Sequence, residues 1–420
     1  MTFWLEVPEA RNLSQAQQEI VALSAEQNLI VIGPPGSGKT ITLMYRAYTL
    51  RNQYRVDPSR FLIFVYNNVL SDYVQQLVNH LDLPIRNIPT FDSWCRKYHK
   101  VNLSTFLPEG LDGVPDFAAI RKEVWEHVEA NATDKIYDFI IVDEGQDLDE
   151  NAFKIMDRLS HHVSVFGDDN QQLYQNGTGF NKIHKILSSN SPPLVRFFPE
   201  GFRCTDFIVQ LAAEFVETDQ KLAFLQQHPD FVGDRQQPEL YAARNRADEM
   251  RKLIENVQVR LEKSERIAIL LPSSTFAPEL SEVLTQEGIE FEVTQNIQRK
   301  TDMFFSNTID FDSPRVKIMA YPSIKGITLD SVLMPYLERE NFRSTFSLDL
   351  IQKWIYVGIS RTTNWAYFSG LSGSIMFHDK FETLSNQGYL QFNKYSTWSD
   401  SQKTKSSQSV QEEEDLTDLF

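Results

Sequence analysis

One stretch constrains this chain more than any other: Ile30-Val31-Ile32-Gly33-Pro34-Pro35-Gly36-Ser37-Gly38-Lys39-Thr40. A β-branched run enters a glycine-rich turn, and an apolar-periodic segment, Ile41 to Leu50, leaves it. The spacing is that of a phosphate-binding loop, G-x-x-x-x-G-K-[ST]. Without a Cβ in the way, successive backbone N–H groups can wrap an anion. The start of the following helix adds partial positive charge. Lys39 is spaced to reach the β- and γ-phosphates, and Thr40 to offer a hydroxyl to Mg²⁺. The expected cradle is therefore Gly33, Pro34, Pro35, Gly36, Ser37, Gly38, Lys39 and Thr40, with ATP and Mg²⁺ as cofactors. The competing reading, a turn between strand and helix that binds nothing, leaves these spacings to coincidence.

A chain of 420 residues exceeds what one core usually holds, so two domains are expected. Its 41% hydrophobic and 23% charged residues are those of a globular protein. No apolar run reaches the ~18 residues of a membrane span, and Met1 to Glu6 lacks a basic region followed by an apolar core. Cys95 and Cys204 stand far apart without metal-ligand spacing, so a reduced, cytoplasmic protein without a zinc site is expected. The net charge of −16 argues against a passive nucleic-acid coat. It leaves room for a protein that grips one strand in a narrow groove with local cations and aromatics. Part of the excess is segregated in Glu412, Glu413, Glu414, Asp415 and Asp418.

In chain order, a polar amphipathic helix is expected from about Leu13 to Ala25, with Ser14 as N-cap. Strands follow at Ile30–Ile32 and Phe61–Tyr66, with a helix from about Leu70 to Leu81. A short extended piece, Ile88 to Phe91, precedes helical sequence through His99, and Val101 to Lys135 is mixed, with a helix near Ala118–Val128. Buried strands at Phe139–Val142 and His162–Phe166 end in Asp143-Glu144 and Gly167-Asp168-Asp169. Strands alternating with helices indicate a parallel sheet with active loops at the carboxyl strand ends. The alternation restarts with strands at 239–242, 267–271, 291–293, 316–320, 332–334 and 365–368. The expected domains are residues 1–193 (101–135 a small insertion) and 194–394, with 395–420 a disordered acidic tail.

Asp143-Glu144 is the partner that the phosphate loop requires. An acid at the end of a buried neighbouring strand holds Mg²⁺, and an adjacent carboxylate activates the attacking water. Asp143 is assigned to the metal and Glu144 to the general base. A pair of helix-capping acids is the alternative.

Asp143-Glu144-Gly145-Gln146-Asp147 resembles the D-E-x-Q-D signature of UvrD/Rep-type superfamily 1 DNA helicases, and further motifs follow in register. Leu13-Ser14-Gln15-Ala16-Gln17 resembles the adenine-reading motif, which implies Gln17. Tyr66-Asn67-Asn68-Val69-Leu70 and Thr90-Phe91-Asp92-Ser93-Trp94 resemble two single-strand-contacting motifs. Gly167-Asp168-Asp169-Asn170-Gln171-Gln172-Leu173-Tyr174 resembles G-D-x-x-Q-x-I-Y, whose glutamine, here Gln171, couples γ-phosphate to nucleic acid. Gly201-Phe202-Arg203-Cys204-Thr205 resembles N-Y-R-S-T, implying adenine stacking by Phe202 and a γ-phosphate contact by Arg203. Tyr321-Pro322-Ser323-Ile324-Lys325-Gly326-Ile327-Thr328 resembles H-x-x-K-G-L-E, which brings in Ser323 and Lys325 for nucleic acid and Gly326 for nucleotide. Tyr356-Val357-Gly358-Ile359-Ser360-Arg361-Thr362 resembles Y-V-x-x-T-R-A, whose arginine, here Arg361, is the finger.

The resemblance implies an α/β chain of two RecA-like P-loop domains, each a mostly parallel sheet flanked by helices. It implies ATP-driven translocation on single-stranded DNA, with 3′-to-5′ polarity and with RNA as an alternative track. Lys39, Glu144, Gln171, Arg203 and Arg361 would carry the hydrolysis. Tyr66, Asn67, Thr90, Phe91, Trp94, Tyr174, Ser323 and Lys325 would line the strand, although aromatics at strand ends are as often core. Departures point to a stripped motor: Tyr174 is followed by Gln175-Asn176-Gly177, Ile41 follows Thr40, and the fifth motif carries Tyr321 and Thr328 in place of histidine and glutamate. The usual accessory insertions have room only near 101–135 and 295–314. An ATP-controlled binding subunit of a nuclease-containing defence or repair complex, without autonomous unwinding, is the alternative. The acidic tail ending Leu416-Thr417-Asp418-Leu419-Phe420 resembles both acidic single-strand-binding-protein tips and short sliding-clamp peptides that end in Leu-Phe, a candidate contact for a sliding clamp, single-strand-binding protein or nuclease, against a purely solubilising acidic tail.

Overall fold

The computed structural model describes residues 12–110, 115–131, 134–168, 177–198, 204–216, 221, 225, 236–294, 309–311 and 313–395. The expected acidic tail and most of 295–314 lie outside these residues.

Short runs that are apolar on both faces form the strands of the first half. Its elements are α1 (Gln15–Ala22), β1 (Leu29–Ile32), α2 (Lys39–Gln53), β2 (Phe61–Phe64), α3 (Asn68–Tyr73), α4 (Gln75–His80), α5 (Phe91–Asn102), α6 (Phe117–Asn131), β3 (Tyr137–Val142), α7 (Glu150–Leu159), β4 (Ser160–Gly167), α8 (Phe180–Ile186) and β5 (Leu194–Phe197). Among the described residues they build a five-stranded sheet in the order β2-β3-β4-β1-β5, with every pairing parallel. Such strands need helices on both faces, which explains continuous apolar sequence where an exposed sheet would alternate.

The second half repeats the plan with α9 (Asp206–Ala213), β6 (Glu239–Ala243), α10 (Arg246–Glu262), β7 (Ile267–Leu271), α11 (Ala277–Gln286), β8 (Phe291–Val293), β9 (Val316–Ala320), β10 (Leu329–Met334), α12 (Leu348–Ser360), β11 (Thr362–Leu371), α13 (His378–Asn386) and β12 (Gln391–Lys394). They form a seven-stranded parallel sheet in the order β12-β6-β11-β10-β7-β9-β8. The expected class, two parallel α/β sheets flanked by helices, is the observed one. No helix among the described residues is long and apolar enough to cross a membrane.

Three expectations change in detail. A boundary between 193 and 194 would cut β5 from its sheet, because Leu194–Phe197 pairs with Leu29–Ile32. The segment taken as a small insertion belongs to the core: Ile120, Val124 and Val128 form an i, i+4, i+8 stripe on α6 that packs with Phe153 and Met156 of α7. The helix expected over Leu70–Leu81 is two short helices that meet at Val74.

The two halves share one apolar cluster that runs from β1 and α2 through α3 and α4 into β9, β10 and α12. Tyr73 meets Phe311 edge-on at 5.3 Å between ring centroids. Gly326, at φ +84°, lies so close to Leu70 that a Cβ there would stand 2.8 Å from the leucine methyls. These contacts set the carboxyl edge of the first sheet against the segment that follows β9.

Candidate functional site

The loop from Gly33 to Gly38 joins β1 to α2. Gly36 and Gly38 have φ of +73° and +80°, in the left-handed region that glycine adopts at least cost. Gly38 has a second constraint, since a Cβ there would meet Gln17 Nε2 at 2.3 Å. Gln17 is committed at both ends of its amide. Its Oε1 accepts from Ser14 N at 2.9 Å, closing the capping box of α1, and its Nε2 donates to Ser37 O at 3.1 Å. The residue assigned to adenine thus ties α1 to the phosphate loop.

Lys39 is buried, and its Nζ donates to Gly33 O at 2.7 Å and Pro34 O at 2.9 Å. Burial lowers its pKa, against the opposing pull of Asp168 and Glu144. Thr40 Oγ1 donates to Asp143 Oδ2 at 2.8 Å. This places a hydroxyl and a carboxylate oxygen, both hard donors of the kind Mg²⁺ takes, side by side across the ends of β1 and β3. Asp143 is pushed up by burial and by adjacent Glu144, as expected of two carboxylates in one dry site. A divalent cation would favour its ionised form, so the donor set fits the metal.

Glu144 adopts φ +53°, a left-handed backbone for a non-glycine residue, and its side chain is buried. Burial would raise its pKa, but Lys325, Lys39 and Arg361 outweigh that and hold it well below the usual carboxylate range. Gln146 Nε2 donates to Glu144 Oε2 at 2.7 Å, while Gln146 Oε1 accepts from Asp168 N at 3.1 Å. Gln146 therefore spans the ends of β3 and β4 and aims Glu144, a role that the residue-level reading did not give it. The signal was the glutamine two places after the glutamate in the D-E-x-Q-D spacing.

The opposite wall comes from the second sheet. Arg361 caps the C-terminus of α12 and is buried; its carbonyl accepts from Leu329 N at 2.9 Å. A cavity of about 50 Å³ is lined by Gly36, Gly38, Lys39, Thr40 and Glu144 from one side and by Gly326, Thr328 and Arg361 from the other. Residues more than 180 positions apart in the chain meet here. Gln171, Phe202, Arg203 and Tyr174 lie outside the described residues.

A second concavity, about 390 Å³, lies between the halves beside Asp147. Tyr66, Asn67, Asp92, Phe117, Arg121 and Ser323 are among its lining residues. Asn67 Oδ1 accepts from Leu70 N at 2.7 Å, which leaves its buried Nδ2, like the buried Ser323 Oγ, without a hydrogen-bond partner among the described residues. Arg121 pairs with Asp149 at 2.7 Å and also with Asp92, and Lys325 pairs with Asp147, so cations offset the carboxylates of this groove.

Three expected strand contacts are not brought to that groove. Thr90 is the N-cap of α5, its Oγ1 accepting from Ser93 N at 3.2 Å. Phe91 is only 2% exposed and packs edge-on against Phe64, so its ring has no face open to a base. Trp94 donates from Nε1 to Tyr137 OH at 3.2 Å, at the amino end of β3 and away from the carboxyl edge. Lys325, expected on the strand, is fully buried on Asp147 and Glu144. In each case an amphipathic or capped position reads the same in sequence whether it faces a ligand or the core.

Compared with known proteins, residues 17–177 match the family AAA_19, described as an AAA domain. That span holds the phosphate loop, Asp143-Glu144 and β4, and the match supports a P-loop nucleotide-hydrolase domain. Among solved structures, the C-terminal domain of a possible DNA helicase from Lactobacillus plantarum WCFS1 is similar at 14% identity and a TM-score of 0.34, over 46% of this chain and 98% of that one. Mss116p bound to ssRNA and AMP-PNP is similar at 12% identity and a TM-score of 0.49, over 92% of this chain and 75% of that one. The DEAD-box helicase Mss116 bound to ssRNA and UDP-BeF gives 11% and 0.49 over the same shares. No curated protein matches the chain.

Proposed function

We propose that the protein is an ATP-driven translocase or helicase on single-stranded DNA, of the UvrD/Rep type, moving 3′ to 5′. The observation that carries this reading is the shared cavity, in which Lys39, Thr40 and Glu144 of one sheet face Gly326, Thr328 and Arg361 of the other. A hydrolase that needed only the phosphate loop would have no use for a second wall with its own buried arginine.

Lys39 leaves its loop carbonyls and turns to the β- and γ-phosphates. Thr40 and Asp143 would hold Mg²⁺, which when bound neutralises charge on the phosphate oxygens. Glu144, aimed by Gln146, takes the proton of the attacking water. Arg361 meets the charge that develops on the transferring phosphoryl group, an effect worth about 10³–10⁵ in rate for arginine fingers. Because Arg361 sits on the second sheet, hydrolysis is fast only when the cleft closes, and the nucleotide cycle becomes a cycle of opening and closing. The groove lined by Tyr66, Asn67 and Ser323 takes the strand, with two unpaired buried polar atoms ready for it.

A second reading, an ATP-controlled binding subunit without unwinding of its own, is favoured by α6. The stretch between β2 and β3 with room for an accessory domain is instead folded into the core. The test is ATP turnover with and without single-stranded DNA and RNA, beside strand displacement. Stimulation by single strands of at least about tenfold, one factor of 1.4 kcal/mol in barrier, supports a nucleic-acid motor. Turnover indifferent to polynucleotide overturns it, and stimulation without displacement selects the binding subunit.

A further inference from the structure

We propose that Lys325 is a positioning residue that restrains Glu144 until a polynucleotide phosphate enters the adjoining groove, so that one buried cation gates hydrolysis. The inference rests on the motor reading above and names the part that links its two sites.

Lys325 follows the short helical turn Tyr321–Ile324 after β9, on the second sheet, and its side chain is fully buried. Its Nζ hydrogen-bonds Asp147 Oδ2, lies 3.5 Å from Glu144 Oε2 and stands 5.2 Å from the centroid of the Tyr66 ring. Glu144 belongs to the nucleotide cavity, whereas Asp147 and Tyr66 belong to the groove. The ammonium therefore stands where the two concavities adjoin.

The oxygen it approaches is already engaged. Glu144 Oε2 accepts from Gln146 Nε2 at 2.7 Å. With Lys325 added, two donors face the atom that must receive a proton from water. A general base works only when a lone pair points at that proton. An anionic phosphate in the groove would compete with Asp147 and Glu144 for Nζ, because ammonium–phosphate contacts are strong charge-assisted bonds. Drawing Nζ toward Tyr66 and Ser323 lengthens its contact with Glu144, leaving Oε2 to the aiming bond from Gln146 and the carboxylate free of the competing cation. The groove is close at hand: Pro322 and Ser323, in the same turn as Lys325, themselves line it.

The experiment compares ATP turnover, with and without single-stranded oligonucleotide, for wild type, Lys325→Met and Asp147→Asn. Lys325→Met removes the cation while keeping length. It should raise oligonucleotide-independent turnover about tenfold, the scale of about 1.4 kcal/mol in the barrier, and bring the stimulation ratio toward one. Asp147→Asn leaves Lys325 with Glu144 as its ionised partner and should lower unstimulated turnover while sparing the stimulated rate. These opposite signs support the gate. A fall in both variants with the stimulation ratio unchanged, as a purely structural ion pair predicts, overturns it. If Lys325→Met does not fold, Asp147→Asn decides alone, and unchanged or raised unstimulated turnover counts against the gate. A wild type that hydrolyses ATP without any response to oligonucleotide refutes the motor reading instead.

Discussion

Glu144 combines the features that a hydrolytic carboxylate needs. It stands in the left-handed region, a conformation that costs a non-glycine residue of order 1–3 kcal/mol. That strain turns the carboxylate into the cavity beside Lys39 and Thr40. Glu144→Gln should reduce ATP hydrolysis by at least about 10²-fold, the range for removing a general base, while nucleotide binding persists through the loop, Lys39 and Asp143. Lys39→Ala should abolish both. Single-turnover hydrolysis and analogue binding check the pair, and near-normal turnover by Glu144→Gln would mean that another group is the base. His162 offers a separate test behind the loop. It is buried on β4, where Arg46 of α2 donates to its Nε2 at 3.1 Å, and Arg46 also bonds Ser164 at 2.9 Å and the carbonyls of Ile20 and Leu23. Burial and then Arg46 lower the pKa of His162 to about 3. The folded ring stays neutral where the unfolded one, near 6.5, takes up a proton. Its contribution to stability is therefore complete above about pH 6.5 and is lost as pH falls, by about 1.4 kcal/mol per pH unit. Urea unfolding of wild type and His162→Gln over that range should show a shallower acid loss in the variant.

At the scale of elements, chemistry is delivered by ends. The N-terminus of α2 faces the phosphate site, the carboxyl ends of β3 and β4 bring Asp143 and Asp168, and the C-terminus of α12 brings Arg361. The segment after β9 carries Ser323, Lys325 and Gly326 against α3 in a single turn and its exit. Gly326 is the hinge of that packing. An alanine there would need φ +84° and would press its Cβ on Leu70 at 2.8 Å. Gly326→Ala should cost about 1–3 kcal/mol, as overpacking and a forced left-handed residue each do. Thermal unfolding should show that loss, with Leu70→Ala in the same chain relieving the clash but not the backbone strain. Equal stability of Gly326→Ala and wild type would mean that this contact is slack.

For the whole molecule, two parallel sheets joined through one apolar cluster set their edges against each other. Two concavities that hold candidate residues lie there, one at the phosphate loop and one beside Tyr66 and Ser323, while a third, about 640 Å³ and lined by Trp94, lies apart at the amino end of β3. A ligand in either bears on the same closure, so nucleotide and single strand should each strengthen the binding of the other by one factor, as linkage requires. The proposed dependence of turnover on polynucleotide belongs to this scale, because no single element contains both concavities. The net charge of −16 is compatible with it, since the groove carboxylates are offset locally by Arg121 and Lys325.

By itself the sequence determined most of the strands, β5 and β12 excepted, because an apolar run flanked by glycine and acid is local information. It also determined the phosphate loop and the Asp143-Glu144 pair, whose spacing along the chain is their geometry. It left open that Thr90 caps a helix, that Phe91 and Trp94 pack with Phe64 and Tyr137, and that α6 joins the core, because an apolar or capping position looks alike whether it faces a ligand or a core. Only the tertiary structure decided that Gln17 ties its helix to Ser37 of the phosphate loop, that Gln146 reaches across to Asp168, and that Lys325 is shared between the cavity and the groove. Those are contacts between residues distant in the chain. The first two exist only once the first sheet has formed and the third only once burial has set one sheet against the other, and no periodicity along the chain encodes them.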